Sequence, residues 1–281
     1  MKTVSAALAC AKELLHTSDS AELDGQLLLA HIFGKTRTWL YTWPDHELTP
    51  DEDMRFLALC AKRAEGQPIA YLVGKREFWK FELQVNSSVL IPRPETELLI
   101  ELALQFVTAP AGKVADLGTG SGAIALALAY ERPQWQVVAT ELSPQALEVA
   151  KLNAQQLQLG NLGLLAGSWC DPLLNSDFNM IVSNPPYIDS EDPHLQQGDL
   201  RFEPRSALVA ASHGLADIQL IARQALEKLL PGGYLLLEHG WQQAAAVRNI
   251  LDGLGYTHVQ TCQDHGGRDR VTLGCKVEML I

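Results

Sequence analysis

The sequence predicts an α/β fold: a small helical bundle, then a mainly parallel sheet that closes with an antiparallel hairpin. Three observations carry this. From Lys113 onward, apolar runs of strand length alternate with helix-length segments, as βαβ units require. Ahead of them, to about Gly66, apolar residues recur at helical spacing. At the far end, two strand-like runs (about 256–261 and 270–276) flank a short loop rich in Asp and Gly.

Taken in order, Leu8, Leu14 and Leu15, then Leu23, Leu27 and Leu28, mark the first helices. Thr49-Pro50-Asp51-Glu52 is a helix start, with Thr49 as N-cap, Pro50 at the first position and Glu52 closing a capping box. Phe56, Leu57 and Cys60 give that helix its apolar face, and Gly66 ends it. Residues 1–70 are therefore expected to form a helical domain, with Trp39, Tyr41 and Trp43 as core or interface packing. Over 71–94 the period changes: Phe81, Leu83 and Val85 alternate with Glu82, Gln84 and Asn86, which predicts a hairpin linker. Ile91 to Glu97 introduces a helix running to about Val107, opening a domain over 95–281. Strands are expected at 113–118, 136–141, 162–167, 178–183 and 233–239. Helices are expected after Gly120, at Ser143-Pro144, from about Leu215 to Leu230, and after Trp241.

Composition limits the function. At 281 residues, 47% hydrophobic and 20% charged, the chain can build two ordinary globular domains. A formal charge of -11 and a pI near 5.2 argue against a broad electrostatic hold on nucleic acid, which needs Lys and Arg to displace counterions. A basic protein partner suits that sign. Five scattered cysteines without CxxC spacing, and eight histidines without ligand spacing, indicate reduced thiols, no metal site and a cytoplasmic protein. The longest apolar runs, such as Ala123 to Tyr130, are too short to span a membrane. The apolar stretch before Cys10 is likewise too short for a signal segment, so a helical start is expected there.

Two loops carry chemistry. The first is Asp116-Leu117-Gly118-Thr119-Gly120-Ser121-Gly122, joining the first parallel strand to its helix. Its glycines permit a tight turn and close approach of a ligand to backbone N–H groups. Gly118, Gly120 and Ala123 also satisfy a dinucleotide fingerprint, and Glu141, closing the next strand, could bind ribose hydroxyls in either case. Asp116 separates the readings, because a carboxylate suits a cationic sulfonium–amino acid better than a phosphate. The second loop is Asn184-Pro185-Pro186-Tyr187, directly after the strand 178–183. Tandem prolines end that strand and hold an amide, rigid carbonyls and an aromatic ring at its carboxyl end, the edge where open α/β sheets bind ligands. Such a group can accept both hydrogens of a planar NH2. As a plain turn, the same tetrapeptide would merely cap a strand.

Together these loops resemble the class I S-adenosylmethionine-dependent methyltransferases. With Ile91-Pro92-Arg93-Pro94-Glu95-Thr96-Glu97 before them and Phe202-Glu203-Pro204-Arg205 after, the resemblance narrows to the peptide chain release factor glutamine N5-methyltransferases and covers nearly the whole chain. It implies a Rossmann-like, seven-stranded class I methyltransferase fold behind a helical substrate-recognition domain. It further implies S-adenosyl-L-methionine as methyl donor and S-adenosyl-L-homocysteine as product, with no metal. The substrate implied is the Gly-Gly-Gln glutamine of bacterial class I release factors, so that methylation modulates translation termination. A monomer with no direct nucleic-acid or membrane binding is expected.

By the same resemblance, Asp116, Gly118, Thr119, Gly120, Ser121, Gly122, Glu141, Ser168, Trp169 and Asn184 bind the cofactor. Asn184, Pro185, Pro186 and Tyr187 bind the substrate, with Asn184, Pro185 and Tyr187 catalytic. Two positions depart from the family's usual pattern: Glu141 stands where Asp is common, and Ser168 where an acid often precedes the aromatic Trp169. Arg93, Glu95 and Arg205 read equally as ion pairs or as a frame for the active-site mouth. An exocyclic-amine nucleic-acid methyltransferase would use a similar Asn-Pro-Pro-Tyr motif; the acidic charge and the lack of a basic, aromatic-interleaved segment oppose it. A non-catalytic cofactor-binding protein would not need an intact Asn184 motif.

Overall fold

The computed structural model describes residues 2–107 and 109–277, which fall into two compact units. The first runs to Lys75 and includes Gln196–Phe202; the second spans Arg76–Leu195 and resumes at Glu203. The helical unit holds α1 (Val4–Leu14), α2 (Ala21–Phe33), α3 (Arg37–Thr42), α4 (Pro50–Ala64) and α5 (Ile69–Val73). The capping box of α4 forms: the Thr49 hydroxyl accepts from the Glu52 N–H at 3.3 Å, and the Glu52 carboxylate accepts from the Thr49 N–H at 2.8 Å.

Val4, Ala7 and Ala11 of α1 pack with Leu28, Leu29, Leu40, Leu48, Phe56 and Cys60. Leu14 and Leu23, which share the helical spacing, are exposed. The small residues of α1 form the buried stripe instead, and they let α2 come close enough for Gly25 to rest on Ala11. The buried Asp24 carboxylate accepts hydrogen bonds from Arg63, Ser18 and Ser20, so its charge is paired. Trp39 is the core member of the aromatic stripe, packing against Phe33 and His46, while Tyr41 and Trp43 are exposed.

Strand spacing begins later than Tyr71, because Pro68 opens α5 and Gly74 closes it. A hairpin then forms from β1 (Lys75–Phe78) and β2 (Phe81–Gln84), and its alternation buries Phe81 and Leu83. The Trp79 backbone N–H donates to Glu97 and its indole N–H to Glu131, anchoring the turn.

The main sheet has seven strands. They are β3 (Gly112–Leu117), β4 (Trp135–Glu141), β5 (Leu162–Ala166), β6 (Phe178–Ser183), β7 (Leu229–Glu238), β8 (Thr257–Gln263) and β9 (Asp269–Cys275). The order is β5-β4-β3-β6-β7-β9-β8, with only β9 antiparallel to its neighbours β7 and β8. One face carries α6 (Glu97–Phe106), α7 (Ala123–Glu131) and α8 (Pro144–Leu157). The other carries α10 (Ala216–Lys228) and α11 (Ala244–Gly253); a short turn, α9 (Ala211–Gly214), precedes α10. Alternate residues sort accordingly: Val114, Met180 and Val182 face the first set, Ala115 and Ile181 the second. Helix α7 is buried on all sides from Ala123 to Ala129, which explains its unbroken apolar run.

Strand β7 starts at Leu229 rather than 233 and ends at Glu238. Pro231-Gly232-Gly233 does not precede the strand but lies within it, where a register shift against β6 absorbs the extra residues. No helix among the described residues is long and apolar enough to cross a membrane.

Candidate active site

Strands β3 and β6 are adjacent although a crossover separates them in sequence, and the order reverses between them. Leu117 pairs with Ser183, whose hydroxyl donates to the Leu117 carbonyl at 2.7 Å. The Gly118–Gly122 loop and the Asn184–Tyr187 loop therefore leave the same edge side by side, at the switch point where open sheets bind ligands.

The Gly118 and Thr119 N–H groups donate to the Thr140 carbonyl, tightening the first loop. Gly118 has φ +70, and a Cβ there would lie 2.8 Å from the Trp169 ring, so only glycine fits this packing. Asn153 spends its whole amide on the loop's support: it donates to the Ser121 and Gln84 carbonyls and accepts from the Gln84 N–H.

Asp116 lies beneath the loop, fully buried, rather than on an open wall. Its Oδ2 accepts from the Thr119 hydroxyl at 2.6 Å and from the Ala125 N–H at 3.2 Å; Oδ1 has no hydrogen-bond partner. Burial pushes its carboxyl up to about 7, against the pull of those two donors. Glu141 reaches back across the loop, accepting from Gly120 N at 2.8 Å and Ser143 N at 2.8 Å, one through each oxygen. Each oxygen keeps a further lone pair for a ligand hydroxyl.

The second loop is held from several sides. Asn184 Nδ2 donates to Thr96 Oγ1 at 3.2 Å. Tyr187 OH meets Glu238 at 3.4 Å, and burial raises the phenol well above its ordinary range. Ile188 exchanges backbone hydrogen bonds with Leu208 and Ala210. The Tyr187 carbonyl accepts from Gln243 Nε2 at 3.0 Å and is crowded by Gly214, where a Cβ would sit 2.0 Å away. Arg93 pairs with the buried Glu203, tying Pro-Arg-Pro-Glu to Phe-Glu-Pro-Arg. Arg93 also lines the cavity between the loops, so the ion pair and a place at the active-site mouth are both compatible with its position.

A cavity of about 610 Å³ opens between the loops. Gly118, Thr119, Gly120, Ser121, Glu141, Ser168, Trp169, Asn184 and Pro186 line it; Asp116, Gly122, Pro185 and Tyr187 do not. The sequence reading missed Val89, Leu90, Leu142, Ser143 and Asp217 on its wall. Leu142 and Ser143 could have been found, since they continue directly from Glu141. Asp217 carried no signal beyond its place in the first turn of a helix, yet it lines the cavity, and burial raises its carboxyl. The volume suits a nucleoside-sized ligand. The open backbone at Gly120 and the Glu141 carboxylate on the wall suit one with ribose hydroxyls. S-adenosylmethionine fits these residues.

A parallel sheet closed by an antiparallel hairpin, with a glycine loop and Asn-Pro-Pro-Tyr at neighbouring strand ends, defines a class I methyltransferase. The chain matches the PrmC N-terminal domain over residues 6–74 and the Methyltransferase small domain over 94–199. It is 52% identical to the release factor glutamine methyltransferase of Vibrio cholerae over 275 residues, covering 97% of this chain and 96% of that one. Against the Escherichia coli enzyme it is 49% identical over 260 residues, covering 92% and 94%. The chain belongs to the release factor glutamine methyltransferase family. Among solved structures, a Pyrococcus furiosus methyltransferase superposes with TM-score 0.55 at 18% identity, covering 82% of this chain and 100% of that one. The hMettl16 catalytic domain gives 0.56 at 17%, covering 83% and 84%. Both share the fold.

Proposed function

We propose that the protein methylates the side-chain amide nitrogen, N5, of the glutamine in the Gly-Gly-Gln motif of class I peptide chain release factors, in the cytoplasm and as a monomer, and so modulates translation termination. Family membership supports the release factor as substrate. The observation that carries the chemistry is Asn184, on the cavity wall beside the glycine loop. S-adenosylmethionine supplies an electrophilic methyl group on sulfur. The loop Gly118–Gly122, Glu141, Ser168 and Trp169 hold it, Glu141 through ribose hydroxyls and Trp169 through its ring.

An amide nitrogen is a weak nucleophile because its lone pair is delocalised into the carbonyl. The Asn184 side-chain oxygen and the Pro185 carbonyl each accept one N–H of the substrate, which aims the nitrogen at the methyl carbon. Orientation of this kind contributes several kcal/mol. Two acceptors also stabilise positive charge growing on nitrogen, at no cost in reorganisation. The Tyr187 ring, fixed through its hydroxyl, walls the flat amide. The proton becomes acidic only once the methyl has arrived, so no side-chain base acts beforehand.

The test is incubation with radiolabelled S-adenosylmethionine and release factors, followed by mass mapping of the methyl group. Label on the glutamine amide is expected, lost in Asn184→Ala while S-adenosylhomocysteine still binds. Label on nucleic acid alone, or normal turnover of that variant, would overturn the reading.

A further inference from the structure

An asparagine amide has an accepting end and a donating end of nearly the same shape, and only its neighbours decide which one faces a cavity. A substrate NH2 needs the oxygen. Asn184 and Thr96 both line the cavity, and Asn184 Nδ2 donates to Thr96 Oγ1 at 3.2 Å. Thr96 is buried, and the Pro94–Thr96 turn places it just ahead of α6. Its hydroxyl has one proton. Accepting from Asn184 leaves that proton for a second acceptor.

Glu238 is the group placed to take it. It follows Leu237, which pairs with Ser183, so it stands beside Asn184 at the end of the neighbouring strand. It is 1% exposed, and one carboxylate oxygen has no hydrogen-bond partner. Burial raises its carboxyl to about 7, against the pull of the Thr96 hydroxyl, Arg270 and the Tyr187 hydroxyl. Above about pH 7 Glu238 is a carboxylate and can only accept, so the polarity there runs one way: Asn184 amide to Thr96 hydroxyl to Glu238. Turning Asn184 around would take the Thr96 proton from an anion to a neutral amide, and hydrogen bonds to charge are the stronger.

We propose that Thr96 is a positioning residue whose hydroxyl, backed by Glu238, holds the Asn184 amide with its oxygen toward the cavity. This rests on Asn184 accepting a substrate N–H. It gives the threonine of Pro-Arg-Pro-Glu-Thr-Glu a role in the reaction, where Arg93 and Glu97 in the same segment brace the fold.

The test compares steady-state kinetics of the wild type with Thr96→Val, Thr96→Ser, Glu238→Gln and Asn184→Ala, at about pH 8.5 where Glu238 is ionised and well below each melting temperature. Thr96→Val keeps the shape and removes the acceptor; its kcat should fall about tenfold or more, one orienting hydrogen bond's worth. Its KM for S-adenosylmethionine should stay near that of the wild type, and Thr96→Ser should restore turnover. Wild-type kcat in Thr96→Val beside an inactive Asn184→Ala overturns the proposal and leaves the Asn184 reading standing. An active Asn184→Ala overturns both. If Thr96→Val does not fold, Glu238→Gln decides. A glutamine can donate to Thr96 and release its hydroxyl toward Asn184, so kcat should fall; unchanged kcat overturns the proposal.

Discussion

Asp116 is the group whose proton the fold controls most directly. Its carboxyl is fully buried, and burial raises it from an ordinary 3.8 to about 7. Between those values the folded protein holds a proton that the unfolded chain has released. The stabilising contribution is therefore complete below pH 3.8 and is lost as pH rises through about 7. From pH 5 to pH 8 the loss covers roughly two pK units, or about 3 kcal/mol at about 1.4 kcal/mol per unit. Asp116→Asn carries no titrating proton. Urea unfolding of the cofactor-free wild type and variant across that range should show their difference in stability move by about 3 kcal/mol in the variant's favour as pH rises. Glu238, also raised to about 7 by burial, contributes to both proteins and cancels in the difference. A difference constant to within about 0.5 kcal/mol would show that Asp116 is ionised in the folded protein at pH 5 and would refute the reasoning.

Two further outcomes follow from the geometry. Gly118→Ala combines a left-handed φ of +70 with a Cβ 2.8 Å from Trp169, so the ring must move across the cavity; calorimetry should show S-adenosylhomocysteine affinity falling about tenfold or more, with about 1 kcal/mol of backbone strain added. Thr49→Ala removes one half of the α4 capping box and should lower stability by about 1 kcal/mol, read as a shift in the thermal or urea midpoint of the helical unit.

Elements with a strong local cause were legible. The strand 178–183 matches its expected bounds because two prolines stop it, and the starts of α4 and α8 follow from Thr49 and Ser143 as caps with Pro at the first helical position. The glycine loop and Asn184–Tyr187 were legible for the same reason, being runs of backbone-restricting or backbone-permitting residues. Leu14 and Leu23 share the helical spacing yet are exposed because burial is decided by the partner helix: α1 offers alanines to Gly25 of α2, and no periodicity within one helix records that choice. Pro231-Gly232-Gly233 misled because a bulge can keep a breaker inside a strand when both neighbouring strands pair with it.

The sequence by itself determined the fold class, the order of the elements and the two loops that meet at the sheet edge, since those depend on local backbone chemistry and hydrophobic period. Only the tertiary structure decided that Asp116 is a buried, proton-holding support, that Arg93 answers Glu203, and that Thr96 and Glu238 stand beside Asn184. Those relations join residues far apart in the chain through strand register. Desolvation and hydrogen-bond polarity act across that distance only once the register is set.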